Sequence, residues 1–313
     1  MLSVIIPAYN EELNIKNTAD VVTQILSDNN IDFEIIFVND GSSDNTLSEL
    51  EVVSKENERV GYASFSRNFG KEAAIFAGLN EANGDCAVVM DCDLQHPVET
   101  IVEMYNIWLN NDVDIVEGRK ADRGKESLMY KLFAKTFYKL IEKASNLDMQ
   151  ATSDFKLLDR KVIESLKQMP ERLTFFRAMS SWVGFKTESV YFEVAPRNAG
   201  TTKFSFKGLV KYAISSITSF SSAPMTFVTW CGVLTFLVSV ILGINTLYNK
   251  LSGNSLEGFS TVILLQLLTS SIIMFSLGII GYYLSKIYEE IKRRPRYIIS
   301  KRHKPDKSEE NQK

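Results

Sequence analysis

The sequence predicts an α/β domain, a mostly parallel sheet with helices on both faces, followed by a two-helix transmembrane hairpin. Three observations carry this. Within residues 1–200, short apolar runs alternate with helix-like stretches. Residues 201–313 contain two long segments without a charged side chain. The charge also divides: the first 200 residues hold 21 Lys and Arg against 32 Asp and Glu, the remainder 14 against 6, so a net −11 precedes a net +8. An acidic front and a basic rear point to two environments rather than one globule.

The front half reads as follows. Leu2–Ile6 is a strand, closed by Pro7, and a helix lies near Glu12–Leu26. Strand Phe33–Val38 precedes a helix near Asp44–Ser54. Strand Val60–Phe65 precedes a helix near Ala73–Glu81, and strand Ala87–Met90 a helix near Val98–Leu109. Strand Val113–Val116 and a helix near Leu128–Lys143 complete the alternation. Strand alternating with helix makes a mostly parallel sheet covered on both faces. Such sheets bind ligands beyond the carboxyl ends of their strands. Three of those ends carry polar residues, Pro7–Glu11, Asn39–Ser42 and Asp91–Asp93. They are expected to meet at one crevice.

In the rear half, Tyr212–Asn249 and Gly258–Ser285 lack charge. Each can supply the roughly 20 residues that cross a bilayer core of about 30 Å. The alternative, two buried helices of a large soluble core, fits poorly, because long apolar runs of this kind mark membrane spans. The connecting "NKLSGNSLEGFS" has one Lys and one Glu, whereas ten Lys and Arg follow Ser285. Positive charge marks the cytoplasmic side, and "MLSVIIPAYNEE" has no signal-peptide pattern. Both termini are therefore expected in the cytoplasm, with the protein in the cell membrane. Ahead of the first span, Lys203, Lys207 and Lys211 form a stripe opposite Phe206, Leu209, Val210, Ala213 and Ile217. A basic amphipathic helix at that place belongs in the membrane interface.

The expected divisions are 1–198 as a cytoplasmic domain and 199–223 as an interfacial helix region. A hairpin follows over 224–288, with spans near 225–248 and 261–285, and then a basic tail over 289–313. The end of that tail, "KPDKSEENQK", reads as disordered. Cys86, Cys92 and Cys231 are odd in number and lack CxxC spacing, which fits a reducing compartment and argues against a disulfide framework.

The chemistry is concentrated in "CAVVMDCDLQHP", residues 86–97. In an extended segment, residues two apart point the same way, so Asp91 and Asp93 face one point. Two like charges so close call for a cation between them. Mg²⁺ or Mn²⁺ is the natural choice, since such ions take one or two carboxylates plus substrate phosphates. A turn-forming or helix-capping Asp pair is the plainer alternative. Other phosphate and catalytic patterns fail. No GxGxxG follows a strand. In "GRKADRGKES", Gly118 and Gly124 are one residue too far apart for a P-loop, and Glu126 follows Lys125. Two histidines, His96 and His303, give poor support for a Ser-His-Asp or HExxH site. His96 reads as a turn residue before Pro97 rather than a third ligand, and Cys92 as packing.

Taken in order, "VIIPAYNEE", "VNDGSSDNT", "SRNFGKEAA" and "VVMDCDLQHP" resemble the successive motifs of family-2 glycosyltransferases with the GT-A fold. "GRKADR", "TSDFKLLDR", "RNAGTTKF" and the C-terminal hairpin are similar to the polyprenyl-phosphate glycosyltransferases, the group of bactoprenol glucosyltransferases and dolichyl-phosphate mannose synthases.

The resemblance implies an inverting transferase that moves a sugar, glucose from UDP-glucose as first choice, onto undecaprenyl or another polyprenyl phosphate for cell-envelope glycan modification. It implies that Pro7, Tyr9, Glu11 and Asp40 hold base and ribose, with Lys71 nearby. Asp91 and Asp93, with Gln95, would bind Mg²⁺ or Mn²⁺. Arg119 and Arg123 would contact phosphates. Asp154 would line the sugar or acceptor pocket, and Arg197 and Lys203 would meet the lipid phosphate. Asp93, Asp154 and Arg197 are the expected catalytic set. Lys156 departs from the group's frequent Arg in "DFRL", which puts a bidentate contact in doubt. The expected partners are a nucleotide diphosphate sugar, the lipid and the membrane. No nucleic acid is expected, and self-association is left open. A processive polysaccharide synthase is disfavoured because Arg177 and Trp182 in "FFRAMSSW" miss the QxxRW spacing. An inactive scaffold is disfavoured by the intact Asp91–Asp93 pair.

Overall fold

The computed structural model describes residues 1–120, 153–169, 175–193, 223–252 and 258–305. The expected helix near 128–143, the interfacial stripe of Lys203, Lys207 and Lys211, the tail beyond 305, and Arg123 and Arg197 lie outside the described residues. The chain divides into two compact units, Met1–Ser205 with Pro295–Lys313, and Phe206–Arg294.

The first unit alternates as the apolar runs require. Its elements begin β1 (Leu2–Ala8), α1 (Ile15–Asp28), β2 (Phe33–Asn39), α2 (Thr46–Glu56) and β3 (Val60–Phe65). They continue α3 (Lys71–Glu81), β4 (Cys86–Val89), α4 (Val98–Asn110) and β5 (Ile115–Lys120). After them come β6 (Lys156–Asp159), α5 (Arg160–Gln168), α6 (Phe176–Trp182) and β7 (Thr187–Phe192). A last strand, β8 (Ile299–His303), comes from the C-terminal tail. The sheet order is β7-β5-β6-β4-β1-β2-β3-β8.

β1, β2, β3 and β4 run parallel, because each crossover is a helix. They are buried on both faces and largely apolar rather than alternating. Their buried polar side chains pair across strands, Ser3 Oγ donating to Glu34 Oε1 at 2.6 Å and Asn39 Nδ2 to Ser64 Oγ at 3.1 Å. β6 enters antiparallel between β4 and β5. Its direction matters. A strand running backwards brings its first residues, and Asp154 just before them, to the edge where β1, β2 and β4 finish.

Among the described residues, Lys156 is the one charged group in the set of largest fully buried side chains. It sits opposite Glu117 in the β5–β6 register. Its Nζ lies 3.0 Å from Glu117 Oε1 and donates to Ser180 Oγ at 2.9 Å. Burial pulls its pKa down, and Glu117 opposes that. The Lys at this position is thus accounted for by a buried structural pair.

The second unit holds α7 (Ala223–Leu251) and α8 (Phe259–Ile291), which contact one another. Spans Met225–Asn245 and Leu268–Ile291 are long and apolar enough to cross a membrane, and none of either span is buried within the protein. Helices that expose this much apolar surface need an apolar solvent or partner.

Candidate active site

Two polar loops are laced together at the strand ends. Asn10, held at φ 55°, donates its N–H to Ser42 Oγ at 2.9 Å, and its Oδ1 accepts from Ser43 N at 2.9 Å. Glu11 N donates to Thr46 Oγ1, and Glu12 Oε2 accepts from Asn45 N. The convergence of Pro7–Glu11 with Asn39–Ser42 expected from the strand pattern is realised. Tyr9 is 42% exposed and stands at this rim. The Glu11 carboxylate accepts from Asn14 Nδ2 at 2.6 Å.

Asp40 is buried, and its carboxylate accepts the N–H of Phe69 at 2.6 Å and of Gly70 at 2.9 Å. Burial raises its pKa in spite of those two donors. Asp40 therefore anchors the 66–70 loop, whose end launches α3 with Lys71 at its first position. Gly41, at φ 63°, passes against the Arg67–Asn68 backbone, where any Cβ would collide. The glycine of "NDGSS" lets these two loops touch.

Lys71 Nζ lies 2.6 Å from Asp91 Oδ1 and 3.0 Å from Asp154 Oδ2. Asp154 is also gripped by Arg177, Nε to Oδ1 at 2.7 Å and Nη2 to Oδ2 at 3.0 Å. The side chains of Lys71 and Asp91 are 42% and 36% exposed, whereas Asp154 is at 8%, so the first two face an arriving ligand and Asp154 lies behind them. Burial alone would raise both carboxyl pKa values. Lys71 and Arg177 overcome it and hold Asp154 well below the usual range, and Lys71 also lowers the Asp91 pKa. Burial would lower the Lys71 pKa, but Asp91 and Asp154 raise it. All three groups are ionised at neutral pH.

Asp93 Oδ1 accepts the Gln95 N–H at 3.2 Å, and Leu94 between them has φ 55°. Among the described residues no three His, Cys, Asp or Glu side chains form a ready cluster for a metal. Two hard carboxylate donors at alternate positions still fit a divalent ion whose other ligands are water and diphosphate oxygens. His96 is buried, stacked on Phe155 at 4.5 Å with Phe192 edge-on at 5.5 Å, and its Nδ1 accepts the Asp91 N–H at 3.4 Å. Burial lowers its pKa, so it is a neutral brace behind the Asp91 turn. Thr18 Oγ1 donates to the Cys92 carbonyl at 2.8 Å and ties the same turn to α1, while Cys92 itself is buried. Arg119 is carried to this edge by β5, with Nε 3.1 Å from Glu117 Oε2.

Two site residues escaped the sequence reading. Arg177 was visible only as half of a failed QxxRW match, and its partner Asp154 lies 23 residues away. Glu72, in the first turn of α3, accepts the Phe176 N–H at 2.7 Å. Nothing in the sequence pairs them.

Burial and the neighbouring Asp154 push the Glu72 carboxyl up to about 7, against the Phe176 donor, Lys71 and Arg177. The unfolded chain would release this proton near 4.5, whereas the fold keeps it until about 7. Stability should therefore fall as pH rises between those values and remain lower above them. Glu72→Gln keeps an acceptor for Phe176 without the charge. It should be more stable than the parent at pH 8 by on the order of 1–3 kcal/mol, with no difference near pH 4. Denaturation midpoints across pH 4–8 check this, and identical profiles would refute it.

Residues 3–167 match the family Glycosyl transferase family 2. The chain belongs to glycosyl transferase family 2. Family-2 relatives align along nearly its whole length. "Uncharacterized glycosyltransferase YkcC" of Bacillus subtilis is 38% identical over 301 residues, 96% of this chain and 93% of the relative. "Prophage bactoprenol glucosyl transferase homolog" of Escherichia coli is 36% identical, covering 96% of this chain and 98% of the relative. "Bactoprenol glucosyl transferase" of Shigella phage SfII is 35% identical, covering 97% and 98%. Among solved structures, Mycobacterium tuberculosis glucosyl-3-phosphoglycerate synthase in complex with Mg²⁺ and UDP superposes with TM-score 0.53 at 20% identity, over 71% of this chain and 79% of that one. That likeness establishes the GT-A fold expected from the motifs.

Proposed function

We propose that this family-2 enzyme moves one glucosyl unit from UDP-glucose to a polyprenyl phosphate, with inversion, at the cytoplasmic face of the cell membrane, for cell-envelope glycan modification. The observation that carries the reading is the Lys71–Asp91–Asp154–Arg177 cluster, set at the strand ends beside Asp93. Its placement in a chain that aligns over 97% of its length with a bactoprenol glucosyl transferase supports a polyprenyl-carrier acceptor and a glucosyl donor. Bactoprenol is a polyprenyl carrier, and α7 and α8 give the chain the means to reach one in a membrane.

A phosphate oxygen of the acceptor attacks the anomeric carbon, the bond from that carbon to the UDP oxygen breaks, and UDP departs with the electron pair. Asp91 and Asp93, with Gln95 beside them, would hold Mg²⁺ or Mn²⁺, which supplies Lewis-acid neutralisation of the diphosphate. Lys71 adds a fixed positive charge at the same place, and Arg119 another at the neighbouring strand end. Pro7, Tyr9, Glu11 and Asp40 form the nucleotide rim. Arg123, Arg197 and Lys203 are assigned to the lipid phosphate. Asp154, kept ionised by two cations, is a weak base, and the acceptor needs none, since a phosphate monoester is largely dianionic above its second pKa of about 6. Asp154 therefore orients Lys71 and Arg177.

The test is the product. Purified full-length protein with labelled UDP-glucose, Mg²⁺ and undecaprenyl phosphate should give one glycolipid carrying a single glucose. A polymer, or transfer from another nucleotide sugar alone, would overturn the reading. In intact cells, Asn254→Cys should react with an impermeant thiol reagent and Ser308→Cys should not. The reverse pattern would overturn the topology.

A further inference from the structure

The tail after α8 forms a built part of the catalytic unit. β8 pairs antiparallel with β3, Tyr62 opposite His303 and Ser64 opposite Lys301, and the register breaks between Ser64 and Phe65. Beyond the break, Ser66 N donates to the Ile298 carbonyl at 3.0 Å, and the chain delivers Arg296 and Tyr297 to the neighbourhood of the active-site loops.

Tyr297 stacks on Phe65 at 5.0 Å and 14°, and its hydroxyl accepts from Asn80 Nδ2 at 2.8 Å. Phe65 meets Phe69 edge-on at 5.7 Å, and Phe69 and Gly70 are the residues Asp40 holds just before Lys71. Arg296 lies over the Phe76 ring at 4.9 Å and donates to the Met169 carbonyl. Phe76 meets Phe176 edge-on at 6.5 Å, and the residue after Phe176 is Arg177, the clamp on Asp154. The two arms end on Lys71 and Asp154, which are 3.0 Å apart.

We infer that Arg296 and Tyr297 are positioning residues for the active site: Tyr297 fixes the 66–71 loop through Phe65, and Arg296 fixes α6 through Phe76 and Phe176. An exposed strand would need only backbone pairing to cover the β3 edge. Placing a ring stack and a guanidinium on the two aromatic residues that back Lys71 and Arg177 does more, because a small displacement of a substrate-positioning group lowers rate steeply. The kinetic part of this inference rests on the glucosyl-transfer reading. The structural part does not.

The experiment uses full-length protein in lipid nanodiscs, with Tyr297→Leu, Arg296→Gln and Arg296→Lys, and Lys301→Ala as a control on the exposed side of β8. Backbone amide exchange should accelerate about tenfold at Phe69 and Gly70 in Tyr297→Leu and across residues 176–182 in Arg296→Gln, with β3 amides 61–64 still protected. For glycolipid formation kcat should fall about tenfold in both, with donor KM within about twofold. Arg296→Lys keeps a cation over Phe76 and should recover at least about half of kcat. Lys301→Ala should match the parent throughout. Unchanged loop and α6 exchange overturns the inference, as does joint loss of protection in the loop and β3, which marks the tail as edge cover only. If Tyr297→Leu does not fold, Arg296→Gln decides, since it leaves the β8 pairing in place. If the parent makes no glycolipid, the functional reading fails and the exchange data still decide this one.

Discussion

Replacing Asp93 with alanine is expected to lower sugar transfer by about 10³-fold or more, the several kcal/mol that a Lewis acid contributes at a developing charge. The fold should survive. Asp93 is half-buried at the open end of the sheet, and its carboxylate accepts the backbone N–H of Gln95. Removing such a contact outside the core costs little stability. Asp93→Asn sharpens the test, because an amide oxygen can still accept from Gln95 while the charge is gone. It should remain nearly as inactive as the alanine variant. UDP affinity in Mg²⁺ should drop in both variants and match the parent when all are measured without metal. Excess chelator should silence the parent, and Mg²⁺ or Mn²⁺ should restore it. Full activity in chelator would refute the metal assignment for Asp91 and Asp93.

How much of this was legible in the sequence follows from where the information lies. β1, β2, β3 and β4 are buried on both faces, so their largely apolar runs mark them within a residue or two. Their polar ends then located the crevice. β5 begins two residues later than expected and runs to Lys120, because Gly118, Arg119 and Lys120 break the apolar run while still pairing with β7. β6, "KLLD", is four residues with a charge at each end, and its apolarity is hidden because Lys156 is neutralised by Glu117 from the next strand. β7 and β8 are exposed along much of their length, and β8, "ISKRH", is almost wholly polar, so a strand there reads as a basic tail. Its apolar anchor is Tyr297, outside the strand itself. The site shows the same division. Asp91, Asp93 and His96 sit in one contiguous turn and could be read together. Glu72 and Arg177 act through α6, which reaches Asp154 and Lys71 only by tertiary packing. The family resemblance implies a nucleotide contact for Asp40, and the fold additionally sets both its oxygens against the Phe69 and Gly70 amides.

Lys71→Ala is expected to be the second most damaging change. Lys71 is the cation shared by Asp91 and Asp154, at 2.6 and 3.0 Å. Without it Asp154 keeps Arg177, but Asp91 loses its close positive partner and the site turns net negative where a diphosphate must arrive. Transfer should fall by about 10²–10³-fold, the range seen when one fixed electrostatic contact to developing charge is lost. The pH profile should change in a defined direction. Burial pushes the Asp154 and Asp91 carboxyl pKa values up, and Lys71 is the largest influence holding them down. Removing it must raise both, so the acid limb of the residual rate should move to higher pH. Lys71→Arg should rescue only in part, because a planar fork cannot place one charge between two carboxylates as a compact ammonium does. The measurements are the glycolipid-forming rate from pH 4 to 9 and the calorimetric affinity for UDP with Mg²⁺. A Lys71→Ala protein with the parent's rate and an unshifted acid limb would mean that the Lys71–Asp91–Asp154 cluster is structural and that the diphosphate is neutralised elsewhere.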